Sequence, residues 1–329
     1  MKKILILLIV ITTLCMVGCK NKNPEENFAS IIADANSYIA SGIMESFHDS
    51  GKKENNFIVY YKNPDLIKVV ISASDNDNKQ VILKNNEGVY ILIPAVNKNF
   101  KVDSSWPTNA SYPYLLQSLV KDIANDKNIT KTENENYITI ETTSKMFADA
   151  NATKQKIIID KHTNLPTEVL VYDGNGNLYI RCVFTDIKLD CNINDDEFNV
   201  TPSVSSLRGE VLSEFKNREL LVPSYIPTGY SISKNDTLVV GENNDITAIY
   251  KFTGEDSFTV IQEYVNDSEV MSTSPVSGEI ITVLGQIGIY NNSFIEVYYE
   301  GVNYTVASSG IYFDELFKIV SSYIVDDEK

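Results

Sequence analysis

The chain has 329 residues, 43% of them hydrophobic, and a formal charge of −16. That length and composition support two domains with sizeable cores. The acidity excludes nucleic acid as the natural partner, because phosphates need Lys and Arg to neutralise them, and it disfavours electrostatic adsorption to anionic lipid.

Lys2 and Lys3 precede an apolar run from Ile4 to Leu8 that continues to Val17. A charged start followed by a short apolar stretch reads as an export signal over residues 1–18. The run ends in Leu14-Cys15-Met16-Val17-Gly18-Cys19. Small Gly18 directly before Cys19 resembles the bacterial lipobox. That resemblance implies a lipid-modified Cys19, a palmitate-type anchor, and residence on the outer face of the cytoplasmic membrane. Residues 19–23 would be the tether.

Asn23-Pro24-Glu25-Glu26 starts a helix: Asn as N-cap, Pro in the first turn, acids at the positive end of the dipole. Its expected stripe is Phe28, Ile31, Ile32, Ala35, Tyr38 and Ile39, with a stop at Gly42. A strand follows near Ile43–Phe47. Residues 56–102 then read as a run of strands, at Phe57–Tyr61, Ile67–Ile71, Gln80–Leu83, Val89–Ile93 and Asn99–Val102, separated by Asn-, Asp-, Gly- and Pro-containing turns. Connections this short imply antiparallel hairpins. Phe57–Tyr61 and Val89–Ile93 hold no charged residue, so both faces of these strands are apolar. One face would meet a helix, and the other more protein, a partner or an apolar ligand. Tyr suits a cavity mouth, with an apolar ring and a polar tip. Tyr60, Ile71, Tyr90 and Leu92 are therefore the candidate ligand-binding residues on the concave side.

A second helix is expected over Tyr114–Ala124, with Leu115, Leu116, Leu119, Val120 and Ile123 as its stripe. Strands resume at Tyr137–Thr142, Lys156–Asp160, Glu168–Tyr172 and Leu178–Lys188, the last two joined by the hairpin turn Asp173-Gly174-Asn175-Gly176. Cys182 and Cys191 lie on or beside one strand, too far apart to bridge unless the chain turns between them, and read as free thiols. Residues 201–221 read as a linker containing a short helix at Leu207–Phe215. A second module, 222–329, shows strands near Ile246–Phe252, Phe258–Tyr264, Ile280–Leu284, Phe294–Tyr299 and Tyr304–Ala307. Its final helix carries Phe313, Leu316, Phe317, Val320 and Ile324.

No catalytic constellation, cofactor loop or metal site stands out. His48 and His162 are the two histidines. The run Phe47-His48-Asp49-Ser50-Gly51 cannot converge its side chains on one point. Asp195-Asp196-Glu197 and Asp173–Asn177 lack the ligand spacing of a calcium loop and fit turn chemistry. The expectation is a protein that is not an enzyme and holds no cofactor or metal.

Residues 24–200 resemble the LolA/RseB-like fold. The features are Tyr60-Tyr61-Lys62-Asn63-Pro64-Asp65-Leu66-Ile67-Lys68-Val69, the Gly88–Pro94 stretch, Ile159–Pro166 before the Asp173–Asn177 turn, and Asn194-Asp195-Asp196-Glu197-Phe198. The whole chain is similar to sporulation-associated lipoproteins of Gram-positive bacteria, including the germination lipoprotein GerS group. Tyr225-Ile226-Pro227-x-Gly229-Tyr230, Val283-Leu284-Gly285 and the terminal helix carry the match of the second module. The resemblance implies an α+β protein: an incomplete antiparallel β-barrel with helices on its concave side, plus a smaller α+β C-terminal domain. It implies a binding module for an apolar ligand, a lipoprotein or an envelope protein partner. The alternative is a regulatory interaction protein that activates a cell-wall enzyme during sporulation or germination.

Overall fold

The computed structural model describes residues 23–48, 51–73, 79–145, 153–207, 223–240, 245–264, 271–299 and 301–325. The expected export signal, Cys15, Cys19 and most of the expected tether lie outside them, as does the stretch 208–222.

The protein is α+β and mostly sheet. Helix α1 is Pro24–Asp34, with Pro24 at its start and Glu25 and Glu26 in its first turn. It stops short of the expected Gly42. Tyr38 and Ile39 belong instead to strand β1, Ser37–His48, whose alternating burial marks a strand and not a helix. Gly42 has a different role there. A Cβ on it would stand 2.0 Å from the Val183 carbonyl oxygen and 2.8 Å from the Phe57 ring. Its bare Cα lets Phe57 lie across the strand at a bulge in the β1 pairing.

Strands β2 (Gly51–Lys62), β3 (Leu66–Ala73), β4 (Lys79–Asn85), β5 (Gly88–Ile93) and β6 (Lys98–Asp103) follow as successive antiparallel hairpins. Helix α2, Leu116–Asn125, buries Leu116 and Leu119. After it come β7 (Thr130–Glu133), β8 (Tyr137–Ser144), β9 (Thr153–Asp160), β10 (Pro166–Tyr172) and β11 (Leu178–Leu189). The expected Asp173 turn joins β10 to β11, with the Asp173 carboxylate accepting the N–H groups of Asn175 and Asn177. β11 returns beside β1, so β1 lies between β2 and β11 in the middle of the first sheet.

The expected linker opens with a helix, α3, Val200–Leu207. The C-terminal part then contributes β12 (Ser231–Val240), β13 (Asp245–Thr253), β14 (Ser257–Tyr264), β15 (Ser272–Ser277), β16 (Glu279–Val283), β17 (Gln286–Asn291), β18 (Phe294–Tyr299), β19 (Val302–Ala307) and α4 (Phe313–Val325). Seven of these strands form a second, antiparallel sheet in the order β12-β13-β14-β19-β18-β17-β16. α4 packs on it through Leu316, Ile319, Val320 and Tyr323. β15 does not join it. It crosses over and extends the first sheet, whose order is β15-β6-β5-β4-β3-β2-β1-β11-β10-β9-β8-β7. That sheet is open, with β15 and β7 at its two edges.

One apolar core unites these layers. It runs from Phe28 on α1 and Leu119 on α2 through Phe57, Val59 and Ile71 to Ile281, Ile289 and Val297 of the second sheet. Polar ties cross the same seam. The Tyr112 hydroxyl reaches the Ile280 carbonyl, and Ser104 and Asn109 donate to the Glu279 carboxylate.

Candidate functional site

Strand register decides where each candidate residue goes. Tyr60 pairs with Lys68, and Phe57 pairs with Ile71. Paired residues share a face, so Tyr60 and Ile71 are on opposite faces of the first sheet. Leu83 pairs with Tyr90, and Val81 with Leu92. Tyr60, Tyr90 and Leu92 accordingly meet in a small cluster with Val70, Val81, Leu83, Phe198 and Val204. Ile71 lies instead in the main core with Phe57 and Val59, the side on which α1 and α2 pack. The four expected neighbours are thus split, and the three that stay together are on the side away from those helices.

That side is covered by the chain after β11. Lys62 donates to the Ile193 carbonyl and pairs with the Asp195 carboxylate. Lys68 is 2% exposed and its Nζ lies 2.6 Å from a Glu197 carboxylate oxygen. The same ammonium stands 5.4 Å from the centre of the Tyr60 ring, within cation–π range. Asn85 Nδ2 donates to the Phe198 carbonyl at 3.0 Å. Phe198 and Val204 drop onto Tyr90 and Leu92 under this strap. Leu92 is fully buried and Tyr90 is 5% exposed. The apolar side chains that would have lined a cavity are filled by the protein's own residues. The acids Asp195 and Glu197 hold lysines here. Sequence alone could not show this, since nothing in the Asn194–Phe198 run names its partners on β2 and β3.

An open crevice of about 680 Å³ lies at the β15 edge of the sheet. Its apolar floor is Val89, Val102 and Val276, and its rim carries Lys84, Glu87, Lys101 and Asp103. Lys84 is paired with Asp65 at 2.6 Å. Lys101 stands 5.6 Å from the centre of the Tyr90 ring. Both signs of charge face one short apolar trough. This suits a polypeptide segment, with its alternating apolar and polar groups, better than a plain hydrocarbon chain.

A third polar cluster pins α2 to the strands beneath. Asp122 is 8% exposed and accepts hydrogen bonds from Gln155 Nε2 at 2.7 Å and Ser111 Oγ at 3.0 Å. Burial pushes its carboxyl above the usual range, and those two hydrogen bonds with nearby Lys121 only partly oppose the rise.

The remaining candidates do not converge. His162 sits exposed in the turn after β9, its Nδ1 3.7 Å from Asp160. His48 ends β1, and Asp49 and Ser50 lie outside the described residues. Cys182 is buried and Cys191 half-buried, both as free thiols. Burial pushes the Cys182 thiol well up, which keeps it protonated. Among the described residues no helix is long and apolar enough to cross a membrane.

Sporulation protein YdcC of Bacillus subtilis (strain 168) is 26% identical over 325 residues, covering 97% of this chain and 96% of the relative. The structure of the Pseudomonas aeruginosa MucA/MucB complex is similar at 12% identity and a TM-score of 0.34, over 90% of this chain and 97% of that one. A LolA superfamily protein from Nitrosomonas europaea is similar at 12% identity and a TM-score of 0.32, over 54% of this chain and 96% of that one. The family described as sporulation protein YdcC-like matches residues 1–198, more than half of the sequence, and the chain belongs to it.

Proposed function

We propose that this protein is a non-enzymatic binding module, exported and held by a lipid on Cys19 at the outer face of the cytoplasmic membrane. Its partner is a protein segment, engaged during sporulation, germination or envelope maintenance. The carrying observation is the packing around Tyr90 and Leu92. Phe198 and Val204 fill the space an acyl chain would need, while the open crevice is rimmed by both signs of charge. This favours a regulatory interaction protein acting on an envelope enzyme over a carrier of apolar ligand. The absence of enzymatic activity is part of the same reading: His48 and His162 lie on separate elements, and Cys182 is sealed in the core.

The test is native mass spectrometry of the mature protein isolated from membranes of sporulating cells. The expected result is a stoichiometric protein partner, with lipid present only as the covalent group on Cys19. One acyl lipid per chain, held without a covalent bond through purification, overturns the assignment.

A further inference from the structure

β15 is an unusual member of its sheet. Its sequence, Ser-Thr-Ser-Pro-Val-Ser, has two strand formers, Thr273 and Val276, among three serines and a proline. Pro275 has no N–H to give to a ladder. Four of its six residues are exposed, and Val276 alone packs on the core. It nevertheless lies in parallel register along the whole of β6, from Ser272 beside Lys98 to Ser277 beside Asp103. Every other described strand pair in the molecule is antiparallel. In sequence β15 lies between two strands of the second sheet, yet it pairs with the first. It therefore acts as a strand lent by the C-terminal part to what would otherwise be the open edge of β6.

The fit is incomplete at one position. Asn99 on β6 is fully buried, and neither its Oδ1 nor its Nδ2 has a hydrogen-bond partner. The residue beside it on β15 is Thr273, which is exposed. A buried amide with no partner is costly, and an amide side chain on the neighbouring strand is within reach to exchange hydrogen bonds with it. Beside the C-terminal half of β15, the crevice leaves room for bulkier side chains than Pro275 and Ser277.

We propose that the β6 edge is a strand-addition site which β15 holds shut. Its partner is an extended protein segment that displaces β15 and runs parallel to β6. It places an amide side chain beside Asn99 and a β-branched residue beside Val102. This rests on the reading above only in taking the partner to be a protein. The chemistry of the segment comes from β6 itself. Main-chain pairing supplies affinity, while Asn99 and the Val89–Val102 floor supply selection.

The probe is a fluorescent peptide, Ser-Asn-Ser-Ile-Val-Ser, which differs from Ser272–Ser277 by Thr273→Asn and Pro275→Ile. It is titrated into the full chain by polarisation, beside a Ser277→Cys/Asp103→Cys variant whose oxidation ties β15 to β6. Binding to the reduced variant at least tenfold tighter than to the oxidised one is expected. In the wild-type chain, replacing the peptide Asn by Val should weaken binding at least fivefold. Asn99→Leu should remove that preference while circular dichroism stays unchanged. Pro275→Ile in the protein, which improves β15, should weaken the peptide without touching Asn99. Equal binding to locked and unlocked forms, or binding to neither, overturns the proposal. So does a dimer that forms only when β15 is unlocked, since the occupant would then be a second copy of this chain. Bound lipid in the native preparation would refute the protein-partner reading and leave the peptide result to stand on its own.

Discussion

Gln80 Nε2, on β4, donates to the carbonyl oxygen of Tyr298, on β18, at 2.6 Å, across 218 residues of sequence. The same amide accepts the Ile287 N–H through its Oε1, also at 2.6 Å. One buried side chain thus serves a donor and an acceptor that the second sheet leaves unpaired where β17 and β18 meet the first sheet. The two parts of the chain are joined by a polar contact inside an apolar seam, where wrong partners are heavily penalised.

Removing that amide should show how far the two parts depend on each other. Gln80→Leu keeps the bulk but orphans the Tyr298 carbonyl and the Ile287 N–H, a cost of roughly 1–3 kcal/mol for each group. Thermal unfolding should stay a single transition at lower temperature in the variant. Limited proteolysis within 208–222 should leave fragments that elute together from the wild-type protein. Two independent transitions, or fragments that separate freely, would support the division at residues 201–221 expected from sequence.

Much of the first sheet is legible because its hairpins are local. Turn residues at Asn63-Pro64-Asp65, Asn85–Gly88 and Asp173–Gly176 mark where it reverses. Three features escape that reading, for physical reasons. The sequence pattern shortens β1 and extends α1 because Tyr38 and Ile39 continue the three-four spacing of the helix by coincidence. Pairing with β2 and β11 outweighs that pattern. β15 carries a weak strand signal, since Pro275 and three serines interrupt Thr273 and Val276, and it pairs where an edge is offered to it. The phase of Ile71 against Tyr60 depends on which residues of β2 and β3 face each other, a choice set by the Asn63-Pro64-Asp65 turn.

The proposed anchoring rests on one atom, the Cys19 sulfur. Cys19→Ala should abolish lipidation and release the protein from membranes, or leave it unprocessed. Metabolic labelling with a palmitate analogue and salt-washed membrane fractions measure both outcomes. A Cys19→Ala chain that is still labelled and still sediments would show that the lipobox lies elsewhere.

Asp122 should make stability depend on pH. Its folded-state carboxyl titrates above the unfolded one because of burial. Its favourable contribution is therefore complete below the unfolded value of about 3.9 and fades as pH rises through the folded value. Above the folded value the ionised group is held in a site that prefers it neutral. Asp122→Asn keeps an acceptor for Ser111, and its amide can donate to Gln155 Oε1, which has no partner in the wild-type protein. The variant should be more stable than wild type at pH 7, with the gap closing as pH falls below about 4. Urea midpoints at the two pH values decide it, and a variant less stable at both removes the assigned cause.

Leu92 separates a filled face from a ligand cavity. It is fully buried among Val81, Phe198 and Val204. In a packed cluster, Leu92→Ala should cost about 2–5 kcal/mol through lost contacts and the space left behind. Leu92→Glu should cost at least as much, because it buries a carboxylate in an apolar cluster where Lys68 is already held by Glu197 and Lys62 by Asp195. Both variants should shift the urea midpoint downward, and the strap over Phe198 should become sensitive to protease before the rest of the first sheet. If this face instead opens to hold an apolar molecule, Leu92→Glu should leave the midpoint nearly unchanged and abolish capture of a fluorescent acyl probe. That pattern would move the binding site from the β6 edge to the face beneath the strap.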